Sequence, residues 1–327
     1  MTGIPDVLVI GAGVSGLTTG IILAEAGAGV LIEAAEPPQE TTSAVAGALW
    51  GTHLVGAEAR VPGWVDATHQ VLMELARDEA TGVHVASGVL AFRDPAEEPP
   101  EAPNSTVVTE LTRCDPASLP AGFAAGWRLT APMVCMPDYL DYLLERFRAA
   151  GGTLHTPRRF ASLAGAAGAT QARVIVNCTG ADARHLVPDP GVVPARGQVV
   201  VVSNPGLTEF FVGSGADPND LTYLFPHRDI VVLGGTQEQG NGSREPDPDT
   251  AAAILAACTA VAPELAGAKI LAHRAGLRPT RPQVRLEAQD IAGGRRLVHN
   301  YGHGGAGISL SWGCAAQTAK LAAAALG

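Results

Sequence analysis

The segment VLVIGAGVSGL, residues 7–17, runs on through TTGIILAEAG (18–27) into VLIE (30–33), and its reading decides the fold. The β-branched apolar start has the character of a buried strand, and the glycines interrupt it. The next apolar positions recur at helical spacing and stop at Gly27, after which VLIE returns to strand character. The stretch predicts a strand, turn, helix and strand, with Gly11, Ala12, Gly13, Val14, Ser15 and Gly16 forming G-x-G-x-x-G in the turn. The first glycine allows the tight turn, the second lets a pyrophosphate approach the backbone, and the third lets helix and strand pack closely. The phosphates then face the positive end of the helix. Glu33 closes the second strand about 20 residues on, where a carboxylate accepts hydrogen bonds from ribose hydroxyls and disfavours a 2′-phosphate.

Working outward, VIVNCTG at 174–180 is a second strand ending on small residues, as a buried parallel strand does when it feeds a cofactor crevice. Before it, PDYLDYLLERFRAAGG places Tyr139, Leu140, Leu143, Leu144 and Phe147 on one face of an amphipathic surface helix. GQVVVV (197–202), LTYLFP (221–226) and DIVVLGGT (229–236) are strand-like runs between turn residues and predict a mostly antiparallel second sheet. Residues 249–266 return to helical spacing, and 299–327 read as a glycine-rich turn leading into a helix. The Ala/Gly-rich patch 161–170 and the Pro/Glu-rich 94–104 read as surface loops.

The expected fold class is therefore α/β, a Rossmann-like lobe beside a mostly antiparallel substrate lobe. The motif alone does not separate FAD from NAD. Its place at the start of the chain, with a late strand and a C-terminal glycine loop, suits an FAD-binding lobe assembled from separated pieces. We expect residues 1–55, 135–190 and 276–327 in that lobe, and 56–134 with 191–275 in the substrate or cap lobe. A nicotinamide-dependent dehydrogenase would explain the first 33 residues and leave the C-terminal loop unused.

With 327 residues, 46% of them hydrophobic, the chain can bury a large core. The net charge of −10 is spread without blocks, which argues against nucleic acid and anionic membrane surfaces as partners. Five scattered cysteines without a C-x-x-C pair fit a reducing compartment. The apolar stretch 7–32 is punctuated by glycines and Glu25 and is preceded by Asp6, unlike a signal peptide or membrane span, so the expectation is a cytoplasmic protein. The sequence does not set the oligomeric state; a homodimer is allowed.

Over nearly its whole length the chain resembles the D-amino-acid oxidase family. The resemblance is carried by VLVIGAGVSGL, TTSAVAGALW (41–50), VIVNCTG, GLRPTRPQVRLE (276–287) and HNYGHGGAGISLSWG (299–313). It implies an FAD-dependent oxidase that deaminates a D-amino acid to a 2-oxo acid and ammonia, with dioxygen reduced to hydrogen peroxide and no metal. By the same resemblance Arg278 holds the substrate α-carboxylate, which a planar guanidinium fork can grip through two hydrogen bonds. Tyr223 reaches the same carboxylate, and the backbone carbonyl of Gly305 accepts from the substrate amine. Gly304, Gly305, Ala306, Gly307, Ile308 and Ser309 meet the flavin's pyrimidine edge, where a helix N-terminus favours negative charge. Thr42, Ser43, Ala48 and Leu49 wrap the pyrophosphate and isoalloxazine, and Phe160 and Thr179, with Arg159 near them, meet the adenosine end.

Relatives often carry a second tyrosine where this chain has Asn219, which leaves a tyrosine-bearing lid over 213–220 in doubt. Relatives acting on D-aspartate carry arginines where this chain has Ala216 and Gln237, so neutral D-amino acids are the expected substrates. Arg281 and Arg285 have a plainer reading as loop-pinning salt bridges, and His303 as a packing residue. Glycine- or sarcosine-type oxidation is the close alternative, D-aspartate oxidation another, and a non-catalytic FAD-binding module the distant one.

Overall fold

The computed structural model describes residues 4–51, 61–97, 111–214 and 221–326. Val7–Ile10, every residue of it buried, lies inside a sheet in which the described strands run Arg285–Ile291, Arg295–Tyr301, Val174–Asn177, Val7–Ile10, Val30–Glu33, Thr153–His155. All neighbours pair in parallel except Arg285–Ile291, which folds back antiparallel on Arg295–Tyr301. The parallel strands are continuous apolar runs because helices cover them. The helix Val14–Glu25 can lie close to the sheet because Gly20 has no side chain: a Cβ there would stand 2.9 Å from Ile32 Cδ1 and 3.0 Å from Phe147.

The helix Met136–Ala149 presents the expected face, with Tyr139, Leu140, Leu143 and Phe147 fully buried and Leu144 partly so. It is less a surface helix than a wall of the main core. Tyr139 Oη accepts from Trp312 Nε1 at 2.8 Å, which ties it to the last helix, Gly307–Leu326.

The second sheet has nine described strands and is antiparallel apart from Val83–Phe92 against Phe210–Ser214. One of its long pairings sets Val193–Ser203 against Ile270–Thr280, so that Arg278 lies opposite Ala195. That strand runs across residue 276, where the sequence suggests a return to the first lobe. A separate core under this sheet packs the helix Pro248–Val261 through Ala251, Ile254 and Cys258. All five cysteines are among the described residues, and none is in a disulfide.

One expectation is corrected. Residues 161–170 are not merely a surface loop, because Leu163–Gly168 is a short helix capped by Ser162, whose Oγ accepts from Gly165 N at 3.1 Å. Alanine gives up little entropy on entering a helix, and Ala166 packs completely buried beneath Leu8 and Ile175. The other patch read as a loop is described only as far as residue 97, where Pro95–Glu97 forms a single 3-10 turn.

Candidate active site

A cavity of about 650 Å³ is lined by loops of both sheets. Its floor begins at the first turn. Gly11 adopts φ 108° and donates its N–H to Glu33 O at 2.9 Å; a Cβ there would stand 2.5 Å from Cys178 O. A Cβ on Gly16 would lie 1.9 Å from Gly11 O, so only glycine lets the helix start this close to the strand. Gly11, Ala12, Gly13, Val14 and Ser15 all face the cavity, with the helix N-terminus aimed into it.

Ser43 Oγ accepts from Val14 N at 3.0 Å, and Thr42 Oγ1 accepts from Leu277 N at 3.3 Å. Both hydroxyls face the cavity and keep their own protons to donate to an anion. Ala48 and Leu49 continue this wall. Ala48 holds φ 62°, unusual for a residue with a Cβ, while its carbonyl accepts from Val134 N at 2.9 Å.

A second helix N-terminus, that of Gly307–Leu326, lies beside the first: a Cβ on Gly307 would stand 4.0 Å from Val14 Cγ1, and Thr18 Oγ1 donates to Ser311 O. Gly304, Gly305, Gly307, Ile308 and Ser309 line the cavity; Ala306 turns into the core. At the far end Thr179 donates to Asn177 Oδ1 at 2.8 Å, and Phe160 carries the Arg158 guanidinium 5.1 Å above its ring. Glu33 stands just behind this wall, 3.9 Å from both His155 Nδ1 and Arg158 Nε; Ala34, Ala35 and Glu36 form the surface beside it. Two helix termini, a glycine turn without room for a Cβ, and hydroxyls between them fit a dinucleotide with its pyrophosphate at the first turn.

Arg278 enters from the second sheet. Its Nη1 donates to Thr236 O at 2.6 Å and its side chain shares a hydrogen bond with the Tyr223 hydroxyl. None of the ion pairs among the described residues includes Arg278, whereas Arg281 and Arg285 both converge on Oδ2 of Asp189, at 3.1 and 3.4 Å. Burial pushes the Tyr223 phenol above its usual range, against the pull of the Arg278 charge, so the hydroxyl keeps its proton.

The Tyr223 ring stacks on Phe225 with centroids 4.6 Å apart, and bare backbone closes around it: a Cβ on Gly234 would lie 2.1 Å from its Cζ. Sequence reasoning does not single out Gly47, Gly197, Gly234 or Thr236, although each shapes this corner. Their signal is a contact across strands, visible only once the register is known.

His303 lines the cavity but donates Nε2–H to Asn300 Oδ1 at 3.0 Å, while Asn300 Nδ2 donates to Thr19 Oγ1. Burial pushes its pKa down to about 4, so the ring is neutral and engaged in packing. Gln237 lines the cavity; Ala216 and Asn219 lie outside the described residues. Among the described residues no cluster of His, Cys, Asp and Glu could hold a metal ion, and no helix is long and apolar enough to cross a membrane.

The sequence model of the FAD dependent oxidoreductase family matches residues 6–321. A D-amino-acid oxidase of Rubrobacter xylanophilus is 50% identical over 319 residues, 98% of this chain and 96% of that protein. A D-amino-acid oxidase of Streptomyces coelicolor is 45% identical over 318 residues, covering 97% and 96% of the two chains. In fold, the crystal structure of glycine oxidase from Geobacillus kaustophilus superposes with a TM-score of 0.80 at 19% identity, over 98% of this chain and 95% of that one.

Proposed function

The chain belongs to the family of FAD dependent oxidoreductases, and from that premise we propose that it is a D-amino-acid oxidase acting on neutral D-amino acids. When bound, FAD supplies the acceptor for the substrate α-hydrogen as hydride and hands the electrons to dioxygen, so that an imino acid leaves and hydrolyses to a 2-oxo acid and ammonia. The protein's part is grip, orientation and exclusion of water.

The observation that carries this reading is Arg278: a guanidinium on the cavity wall, braced by Thr236 O and Tyr223, with no carboxylate partner among the described residues. Arg278 is partly buried, and a partly desolvated cation without a counter-ion gains from an α-carboxylate gripped by its fork. Tyr223, already turned toward Arg278, adds a second donor to the same carboxylate. The Gly305 carbonyl accepts from the amine, which fixes the α-carbon between two anchors. The N-terminus of Gly307–Leu326 favours the negative charge that reduction leaves on the ring.

Val199, Val212, Leu221 and Phe225 form the wall beside Tyr223, with Gln237 as a polar neighbour. A side-chain carboxylate placed there would be desolvated without a paired cation, which supports neutral substrates. The scattered cysteines without a C-x-x-C pair support a reducing compartment, the cytoplasm.

The test is anaerobic mixing of the FAD-loaded protein with D- and L-amino acids, glycine and sarcosine, following the oxidised flavin band. Bleaching by neutral D-isomers is the expected result. Faster bleaching by glycine or sarcosine would reassign the substrate, faster bleaching by D-aspartate would sink the neutral preference, and no bleaching at all would leave a binding module.

A further inference from the structure

Two side chains on the cavity wall meet from different sheets. Arg244 Nη1 pairs with Glu36 Oε1 at 2.6 Å, and Arg244 Nη2 donates to the Glu40 carbonyl. Glu36 follows the strand Val30–Glu33; Arg244 follows Glu238–Gln239 of the second sheet. Both line the cavity, yet their side chains are 30% and 39% exposed, so the pair stands where the cavity meets solvent.

The backbone on each side is held by bonds other than those of the pair itself. On the arginine side, buried Arg196 donates to Glu245 O at 2.8 Å, and Gln198 exchanges bonds of 2.7 and 2.8 Å with the backbone of Asp247. Asn241 and Ser243 bond inward within the same arm. On the glutamate side, Pro37 and Pro38 stiffen the turn, and Thr41 Oγ1 donates to Pro38 O at 2.7 Å. The usual entropic penalty of joining two long exposed side chains is thereby reduced, and the arginine uses two acceptors at once.

The charges matter as well as the span. Glu36 faces the cavity whose floor is built for a diphosphate, and an unpaired carboxylate there would repel that group. Arg244 cancels this charge while it bridges the gap. We infer that the Glu36–Arg244 pair is a retaining clasp for FAD: the cofactor leaves when the pair opens, and Arg244 also shields the phosphates from Glu36.

The test follows FAD leaving the diluted holoprotein through the fluorescence of released flavin, and needs no substrate, so its result is independent of which amino acid is oxidised. Glu36→Gln is expected to speed release about fivefold, the effect of losing a favourable exposed ion pair. Arg244→Gln should speed it further, because it also leaves Glu36 uncancelled. The double variant should fall back to the rate of Glu36→Gln. Wild-type release should quicken with added salt, and that of the double variant should not. Release rates equal to wild type in both single variants, or wild-type release indifferent to salt, would overturn the clasp. An Arg244→Gln rate below that of the double variant would overturn the shielding.

Discussion

The Arg278 guanidinium rests on the bare backbone of Gly197, where an added Cβ would stand 2.4 Å from Nη1 and 2.6 Å from Cζ. The obstructed group is the end of a flexible side chain, so Gly197→Ala should fold and displace Arg278 from Thr236 O. We expect KM for D-amino acids to rise roughly tenfold, as for a lost hydrogen bond to a charged group, with kcat changed much less. Steady-state peroxide production measures both, and an unchanged KM would contradict this placement of the guanidinium.

Arg278→Lys keeps the charge and loses the planar fork. It should lower kcat/KM roughly a hundredfold, since two parallel charge-assisted bonds become one. Tyr223→Phe removes one hydroxyl from the same corner and should cost less, about tenfold. If lysine were tolerated as well as phenylalanine, the carboxylate would have to be gripped elsewhere.

Asp189 is nearly buried and takes four bonds: Tyr301 Oη at 2.8 Å, Arg281 Nε at 3.1 Å and Arg285 Nη1 at 3.4 Å on Oδ2, and Gly191 N at 2.9 Å on Oδ1. Burial works to raise its pKa, but Tyr301, Gly191 and Arg281 outweigh it and hold the carboxyl below its usual range. Asp189→Asn keeps the shape, takes away the carboxylate that Arg281 pairs with and leaves Arg285 with Glu287 alone. We expect a loss of about 3 kcal/mol in urea unfolding. Flavin occupancy should fall too, because Arg281 lines the cavity and packs against Gly302. Wild-type stability in the variant would rule out the carboxylate as the hub of this cluster.

Burial pushes His227, His299 and His303 each down to about 4, helped by His84 at His227 and by Arg285 at His299. In the unfolded chain they titrate near 6.5, so between these values the unfolded state binds more protons. Their contribution is intact above about pH 6.5, falls as pH drops toward 4 and levels off below, with a slope of about 1.4 kcal/mol per pH unit for each ring. Urea titrations from pH 4 to 7 should show this fall, and His303→Gln should remove about a third of the part due to these rings. A slope unaltered by the substitution would mean that His303 is charged in the folded protein.

Much of this was legible because the deciding signals are local. The strand, turn and helix from Val7 to Glu25 follow from periodicity and from glycines whose backbone roles can be stated in advance. Arg278, Tyr223 and Gly305 came from motif resemblance, and the structure brings all of them to one cavity with the glycine turn. What local pattern could not supply is partnership. That Gly197 lies beneath Arg278 depends on the register of Ile270–Thr280 on Val193–Ser203, and that Arg244 meets Glu36 depends on how two sheets are set against each other. Leu163–Gly168 departs from the sequence expectation for the opposite reason: composition points to a loop, while the serine cap and a buried face for Ala166 make a helix.

The order of strands in the first sheet also bears on biosynthesis. Val7–Ile10 emerges from the ribosome early, but its neighbour Val174–Asn177 comes much later, and Arg295–Tyr301 with the glycines after it later still. A nascent chain holding only the first glycine turn exposes a fragment of the cradle, open on one side and without its second helix terminus. The complete cradle therefore exists for flavin only once Ser309 has been translated and has cleared the exit tunnel.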